Sequence, residues 1–378
     1  MKPLAGIRVA DFTVHNAGPF CTHLLSQLGA EVVKIESAMR PDAFRKPHPV
    51  YGRMGPATFD QVASTKLSVR INLKKPEGVA LAKRLVAVSD VAAESFRAGV
   101  VARLGLGYEV LKAVKPDIVM LSVSSSGQSG PDSHFAGYAP LFGAWGGLSE
   151  LTGWADGPPV EMRHVMDHTV GMNAAVAVMA ALHRRRATGE GALVDVAARE
   201  VASSLLGEAL LMAAAGADLH RTGNAHPRMA PHGVYPAAGE DRWVSVAVGD
   251  DAQRQALAGL LGAQSTEAAL SAWTSKREAN QAAAELQAAG IAAHASWTTP
   301  DIAGDDHLRR RRAVVEVSEP DGTRRAAVGV PMRLSKGAEI GIDRGTPRLG
   351  EHEDYVYGEL LGMGRDERRD LEDAEVIH

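Results

Sequence analysis

Through the first half of the chain, short β-like apolar runs alternate with stretches whose apolar residues recur at helical spacing. That alternation is the pattern of βαβ units building a mostly parallel, doubly wound sheet. Residues 7–12 predict a first strand, interrupted only by Arg8 and Asp11 and followed by a turn signal at Ala17-Gly18-Pro19. Phe20, Leu24, Leu25 and Leu28 then fall at helical spacing, with Gly29 as the stop before a second strand at 31–36, EVVKIE. Pro76 suits the first position of a helix whose face carries Leu81, Leu85 and Val88. Residues 117–123 and 193–197 predict further strands, and 171–184 and 199–215 predict long Ala-rich helices.

From Arg221 the texture changes to GNAHPRMAPHGVY, rich in Gly, Pro and His, which marks a linker or an active-site loop. Beyond it, 234–235 and 243–248 flank AAGEDR as a hairpin, 253–261 and 279–289 predict helices, and 313–317 and 326–330 predict strands. This reads as an α+β segment. The charged ending GRDERRDLED predicts a solvated helix.

Composition narrows the function. A chain of 378 residues with 45% apolar residues is long enough for two cores, and a net charge of −4 with dispersed Lys and Arg offers no general grip on nucleic acid. A single cysteine, Cys21, rules out an internal disulfide and a thiolate-rich zinc site, and it suits a reducing, cytoplasmic setting. Neither an export signal nor a membrane segment is expected, since the longest apolar run, 174–182, falls short of the ~20 residues of a span. No GxGxxG follows the first strand, and GxxxxGK[ST], HExxH and GxSxG are absent, which lowers nicotinamide, ATP, zinc and serine-esterase chemistry. Among the 14 histidines, His164, His168 and His183 form no recognised ligand motif, so no metal is expected.

Asp167 opens the apolar stretch MDHTVGMNAAVAVMAAL. A carboxylate at a helix N-terminus caps orphan N–H groups, and the helix dipole also favours its ionised form. An ionised, partly buried carboxylate is equally a candidate covalent nucleophile.

A set of motifs in fixed order then carries a resemblance. PLAGIRVADFT with AGPFCTHLLSQLGAEVVKIE, KLSVRINLKKPEG, ESFRAGVVARLGLGYE, SVSSSGQSGP, RRRATGEGALVDVA, MAPHGVY, DDHLRRR and PRLGEHED run nearly end to end. In this order the chain resembles the class III CoA transferases, the CaiB/BaiF or formyl-CoA transferase-like family. The resemblance implies transfer of coenzyme A from an acyl-CoA to a carboxylic acid, with Asp167 on the catalytic aspartate and an aspartyl-CoA thioester as intermediate. Coenzyme A is thus a substrate, and no tightly bound cofactor is implied. His15 and Asn16, just before AGP, fall on active-site and CoA-contacting positions, where a plain polar turn is the other reading. Ile71, Asn72, Leu73, Lys74, Ser95, Phe96, Arg97 and Arg103 fall on CoA-binding stretches. Lys74, Arg97 and Arg103 suit the phosphates, although such residues are otherwise ordinary surface charges. Tyr138, in AGY, falls at a pocket position near the nucleophile, with a core tyrosine as the alternative.

The resemblance further implies a Rossmann-like large domain, residues 1–220 plus 333–378, a smaller α+β domain, 221–332, and an interlocked ring homodimer. Two departures stand out: Ser37 replaces an Arg of the formyl-CoA enzymes, and Ser95 replaces the more usual Asn. The long glycine-rich loop of the oxalate-using enzymes is also missing, so a bulkier acid, such as a dicarboxylate, is expected. The rival readings are an α-methylacyl-CoA racemase, whose His would fall near Tyr138, and a non-catalytic CoA-binding subunit. A tyrosine of ordinary pKa near ~10 is a poor base for the racemase reaction.

Overall fold

Six parallel strands form the main sheet of the computed structural model, which describes residues 1–47, 54–161 and 164–378. They are β1 (Arg8–Asp11), β2 (Glu31–Glu36), β3 (Leu67–Arg70), β4 (Val91–Glu94), β5 (Val119–Ser124) and β6 (Ala192–Ala197), in the order β3-β2-β1-β4-β5-β6. The connecting helices are α1 (Ala17–Gln27), α2 (Met54–Ala63), α3 (Pro76–Ala87), α4 (Val100–Arg103), α5 (Tyr108–Val114), α6 (Ala139–Trp145), α7 (Val165–Thr188) and α8 (Ala198–Ser204). Side chains alternate across the sheet, as a period of two requires. Ala10, Val33, Val69, Ala92 and Met120 enter one core, while Val9, Val32, Val91, Ala93 and Leu121 enter the other. The first core is closed by α3 and the chain end, through Leu81, Leu85, Tyr357, Val376 and Ile377; the second is closed by α1, α7 and α8. Val88, expected on the α3 core face, lies just beyond the last helical residue and is solvent-exposed.

The chain divides into two compact units, 1–148 with 161–207 and 307–378, and 149–160 with 208–306. Relative to the expected 221–332, the second unit gains 149–160 and 208–220 and gives up 307–332. The reason lies in a hairpin, β10 (Val314–Ser318) and β11 (Arg324–Val328), held to the first unit by side chains. Arg325 donates to Ser64 Oγ (2.9 Å), and Glu319 accepts from Thr346 N (2.8 Å). The tail returns to the sheet edge, where Tyr357 donates to Arg70 O (2.6 Å) and Ala38 N to His378 O (2.8 Å). Its last helix, α15 (Arg365–Asp373), is solvated.

The second unit contains most of α9 (Gly207–Ala214) and an antiparallel sheet of β7 (His232–Pro236), β8 (Trp243–Ala247) and β9 (Ala292–Ala295). It also holds α10 (Asp251–Leu261), α11 (Glu267–Thr274), α12 (Ala279–Ala288) and α13 (Thr299–Gly304); α14 (Asp306–Arg310) follows at the boundary. Its own core gathers Val244, Val246, Leu257, Leu270 and Leu286.

Two expectations are corrected. The single helix predicted over 199–215 is two, α8 and α9, separated by Leu205 and Leu206, with helix-weakening Gly207 at the restart and most of α9 in the other unit. The apolar helix predicted over 171–184 is a 24-residue α7, long and apolar enough by itself to cross a membrane. Its Val170, Ala174, Ala175 and Val178 are buried in the second core.

Candidate active site

All six strands of the main sheet point their C-terminal ends the same way, and the strand order reverses between β1 and β4. Open α/β sheets bind ligands in the crevice at such a switch point. Here the loops leaving β1 and β4 are tied directly: Ser95 Oγ accepts from Val14 N (2.9 Å) and donates to Val14 O (3.0 Å). A Cβ on Gly18 would come within 2.8 Å of both Ser95 Cβ and Thr13 Cβ, so only glycine lets the two loops and α1 meet. The β1 loop passes through His15 at φ +66° and delivers Asn16, 3% exposed, to the start of α1.

A buried ionic cluster supports this loop from below. Asp11 accepts from Lys66 Nζ (2.9 Å), Thr22 Oγ1 (2.8 Å) and Thr13 N (3.0 Å), and Lys66 also reaches Pro19 O (3.0 Å). Lys34 Nζ donates to Thr13 O (2.9 Å) and pairs with Asp42 at 3.3 Å. Burial alone would raise the Asp11 pKa, but Lys66, Lys34 and Thr13 outweigh it and hold the carboxyl below its usual range. Asp42 in turn accepts from Phe44 N (3.1 Å), which sets the Phe44 ring against His15.

Asp167 is the third residue of α7, whose first turn follows His164 at φ +61°. The helix can lie on α1 because a Cβ on Gly171 would strike Ala17 O at 2.7 Å and Phe20 Cδ1 at 2.9 Å. This docking brings Asn16 Nδ2 to 3.4 Å from Asp167 Oδ2 and 3.4 Å from His164 Nδ1. His164 Nδ1 is itself 4.0 Å from the carboxylate. Among the described residues, no backbone N–H donates to the Asp167 side chain and no Lys or Arg pairs with it. The expectation of a capping residue kept ionised by its helix is therefore corrected. Burial, with Glu161 adding to it and Asn16 opposing, pushes the Asp167 pKa up to about 6.

One turn further along the same α1–α7 seam, the His168 ring lies 4.3 Å from Phe20, and its buried Nε2 has no partner. Burial and the neighbouring His164 lower its pKa. His15 sits edge-on between Phe44 (6.2 Å) and Tyr138 (5.8 Å); burial, Arg40 and Lys34 lower its pKa against the pull of Asp42. Tyr138 is 61% exposed and precedes α6, so it is not a core tyrosine.

The stretches expected to hold coenzyme A divide by exposure. Ile71 is core, and Asn72 binds the tail through Glu375 O (3.2 Å) and Val376 O (2.8 Å) while accepting from Lys74 N (3.1 Å). Leu73 and Phe96 are half-buried on the first core. Lys74, Arg97 and Arg103 are solvent-exposed, with no carboxylate partner among the described residues. The structure thus joins His15 to Tyr138, Asn16 to Asp167 and Ser95 to the β1 loop; no contact links the three cations to Asp167.

Sequence reasoning set His164 and His168 aside as non-ligands, although His164 lies three residues before Asp167, on one helical face. It missed Glu94 altogether. This buried acid ends β4, accepts from Phe96 N (2.7 Å), and has its pKa raised to about 7 by burial, with Asp195 adding and Ser122 and Phe96 opposing. Its signal was an acid closing the apolar run VAAE directly before SFR. No group of three His, Cys, Asp or Glu among the described residues is placed to hold a metal.

With this geometry in place, comparison with known proteins identifies the family. The sequence profile of CoA-transferase family III matches residues 4–353. A succinyl-CoA–D-citramalate CoA-transferase of Chloroflexus aurantiacus is 32% identical over 400 residues, covering 100% of this chain and 98% of the relative. A succinate–glutarate CoA-transferase of Agrobacterium fabrum is 30% identical over 390 residues, covering 96% and 97%. Among solved structures, a CAIB/BAIF family protein from Brucella suis superposes with a TM-score of 0.85 at 31% identity, over 95% of this chain and 99% of that one. The protein belongs to CoA-transferase family III and is an acyl-CoA:carboxylate CoA transferase.

Proposed function

We propose that the chain moves coenzyme A from a dicarboxylic acyl-CoA, such as succinyl-CoA, to a carboxylic acid acceptor through an aspartyl-CoA thioester on Asp167. The observation that carries this reading is a half-buried carboxylate, without Lys or Arg partner among the described residues, presented beside the Asn16 amide at the switch point of the sheet. Asp167 attacks the thioester carbonyl and expels CoA thiolate, leaving a mixed anhydride. The thiolate then attacks the aspartyl carbonyl, forming the enzyme thioester and releasing the donor acid. The acceptor carboxylate repeats the two steps in reverse and leaves with CoA, so one thioester is exchanged for another and no ATP is consumed. Asn16 Nδ2 serves as a donor to the oxygen that gains charge when the aspartyl carbonyl is attacked. Lys74, Arg97 and Arg103 bind the phosphates of CoA, and the half-buried faces of Leu73 and Phe96 supply apolar contact.

Dicarboxylic substrates are supported by the activities for which the citramalate and glutarate relatives are named. A homodimer is supported by apolar residues that α7 leaves outward, Met172 and Val176. Intact-protein mass spectrometry after incubation with acyl-CoAs tests the central step. A CoA-sized adduct on the wild type, removed by hydroxylamine and absent from Asp167→Ala, is expected; α-proton exchange into deuterated water without an adduct would instead indicate racemase chemistry.

A further inference from the structure

Glu94 closes β4 with its side chain 1% exposed and no Lys or Arg paired with it among the described residues. Its Oε2 accepts from Phe96 N (2.7 Å), and the carboxyl is also hydrogen-bonded to Ser122. The register of the sheet sets Glu94 beside Ser122 on β5, and Ser122 beside Asp195 on β6. Asp195 Oδ2 accepts from Gln128 N (2.9 Å), and Gln128 Oε1 accepts from Gly99 N (3.2 Å). Side chains aligned across three strands thus hold the β4 loop at two backbone N–H groups, one on each side of Arg97. The loop runs on into α4, where Val100 N donates to Arg97 O (3.0 Å) and Arg103 N to Gly99 O (3.1 Å). Gly99 has φ +76°, and a Cβ there would come within 3.2 Å of Arg103 Nη1, so this guanidinium lies against the same segment.

We propose that Glu94 and the Asp195–Gln128 pair are positioning residues, fixing the 96–99 backbone so that Arg97 and Arg103 are preorganised for the phosphates of coenzyme A. This rests on the CoA-transfer reading above. Two exposed guanidiniums on one short segment repel each other, and neither has a carboxylate partner among the described residues to hold it. Order imposed on the segment before binding is entropy that the CoA contacts need not supply. Glu94 is an unfavourable place for a charge, since burial, with Asp195 adding, raises its pKa to about 7. What the loop takes from it is an acceptor oxygen for Phe96 N, and a neutral amide of the same shape provides one.

The experiment measures KM for succinyl-CoA in thioester exchange by the full chain. Glu94→Ala is expected to raise KM by ~5–30-fold with kcat within ~3-fold of the wild type, while Glu94→Gln, which keeps the acceptor, stays within ~3-fold in KM. Added to Arg97→Ala with Arg103→Ala, Glu94→Ala should change KM by less than ~3-fold more, because the residues it positions are gone. Succinyl-pantetheine, which has the same thiol arm without phosphates, should be used with kcat/KM within ~3-fold in wild type and Glu94→Ala. Gln128→Ala removes the second tether from a half-buried position and should raise KM for succinyl-CoA by ~3–10-fold, which keeps the test open if Glu94→Ala fails to fold. An unchanged KM in these variants overturns the inference. So does a loss of the same size with succinyl-pantetheine, a full effect in the absence of both arginines, or a Glu94→Gln variant as impaired as Glu94→Ala. Calorimetric titration with coenzyme A alone separates this inference from the reading beneath it. A wild type that forms no adduct on Asp167 yet binds CoA, with Glu94→Ala binding it ~5–30-fold more weakly, would sink the aspartyl-thioester step and leave the positioning role standing. An adduct together with unaltered CoA affinity in Glu94→Ala would sink the positioning role alone.

Discussion

Two aspartates, one fully and one partly buried, flank the same helix, α1, and differ in every respect that matters to chemistry. Asp11, at the end of β1, is fully buried and has Lys66, Thr22 and Thr13 as partners; its pKa is lowered. Asp167, on the first turn of α7, has a long contact from Asn16 and His164 Nδ1 at 4.0 Å, and its pKa is raised to about 6. The first carboxylate is stabilised as an anion and committed to holding the β1 loop in place. The second is an anion the fold tolerates poorly, and a poorly solvated carboxylate is the reactive one. The paired cluster keeps the unpaired residue in position, because Lys34 and Lys66 anchor the loop that ends at Asn16.

The largest expected effect separates the two aspartates by activity. Asp167→Asn removes the proposed nucleophile and should lower the rate of CoA transfer by at least ~10³-fold, measured by thioester exchange. The same change should stabilise the protein. A carboxyl raised from its ordinary value to about 6 opposes folding once ionised, by up to roughly 2–3 kcal/mol at neutral pH. That opposition is absent below the unfolded pKa and grows as pH rises to about 6. The gain in Tm should accordingly be present at pH 7.5 and vanish near pH 4.

Asp11→Asn should act in the opposite sense, lowering stability by about 3–5 kcal/mol because Lys66 is left as an uncompensated buried charge. Its contribution, from a lowered pKa, is present above the unfolded value and disappears as pH falls through the folded one. Combining Asp11→Asn with Lys66→Met should recover much of the loss in a denaturant titration, since the orphaned charge goes with its partner. A double variant no more stable than Asp11→Asn would show that the cluster acts by geometry rather than charge.

A third comparison uses pH and activity. The rate should fall about tenfold per unit below pH 6 as Asp167 takes up its proton, with protein stability checked in parallel. The smallest effects belong to the exposed cations: Lys74→Ala, Arg97→Ala and Arg103→Ala should each raise KM for the acyl-CoA by ~3–10-fold, more at low salt than at high. Losses in kcat with KM unchanged would remove these residues from CoA binding.

Much of this contrast was partly legible in the chain. Residues 31–36 were read as a strand with the observed limits, and the motif around Asp167 singled that residue out. Nothing local distinguished ADFT, which holds the ion-paired aspartate, from VMDHT, which holds the proposed nucleophile. Lys66 lies 55 positions from Asp11 and lowers its pKa, while Asn16 lies 151 from Asp167 and only opposes the rise that burial imposes there. The short strands β3 and β4 escaped prediction for a similar reason. VAAE has little intrinsic β preference and becomes a strand because β1 and β5 pair with it on both sides.

The sequence by itself determined several local elements: the strands β1, β2, β5 and β6, the crossover helices with their Pro76 start, and the ordered motifs that mark the family. These depend on neighbours a few residues apart. Only the tertiary structure decided where the compact units divide, that Ile71 and Asn72 are turned into the fold while Lys74 is exposed, and that one aspartate is paired with a lysine while the other meets an amide and a histidine. Burial and charge pairing arise between residues distant along the chain, so they exist only once the sheet and the α1–α7 seam have closed.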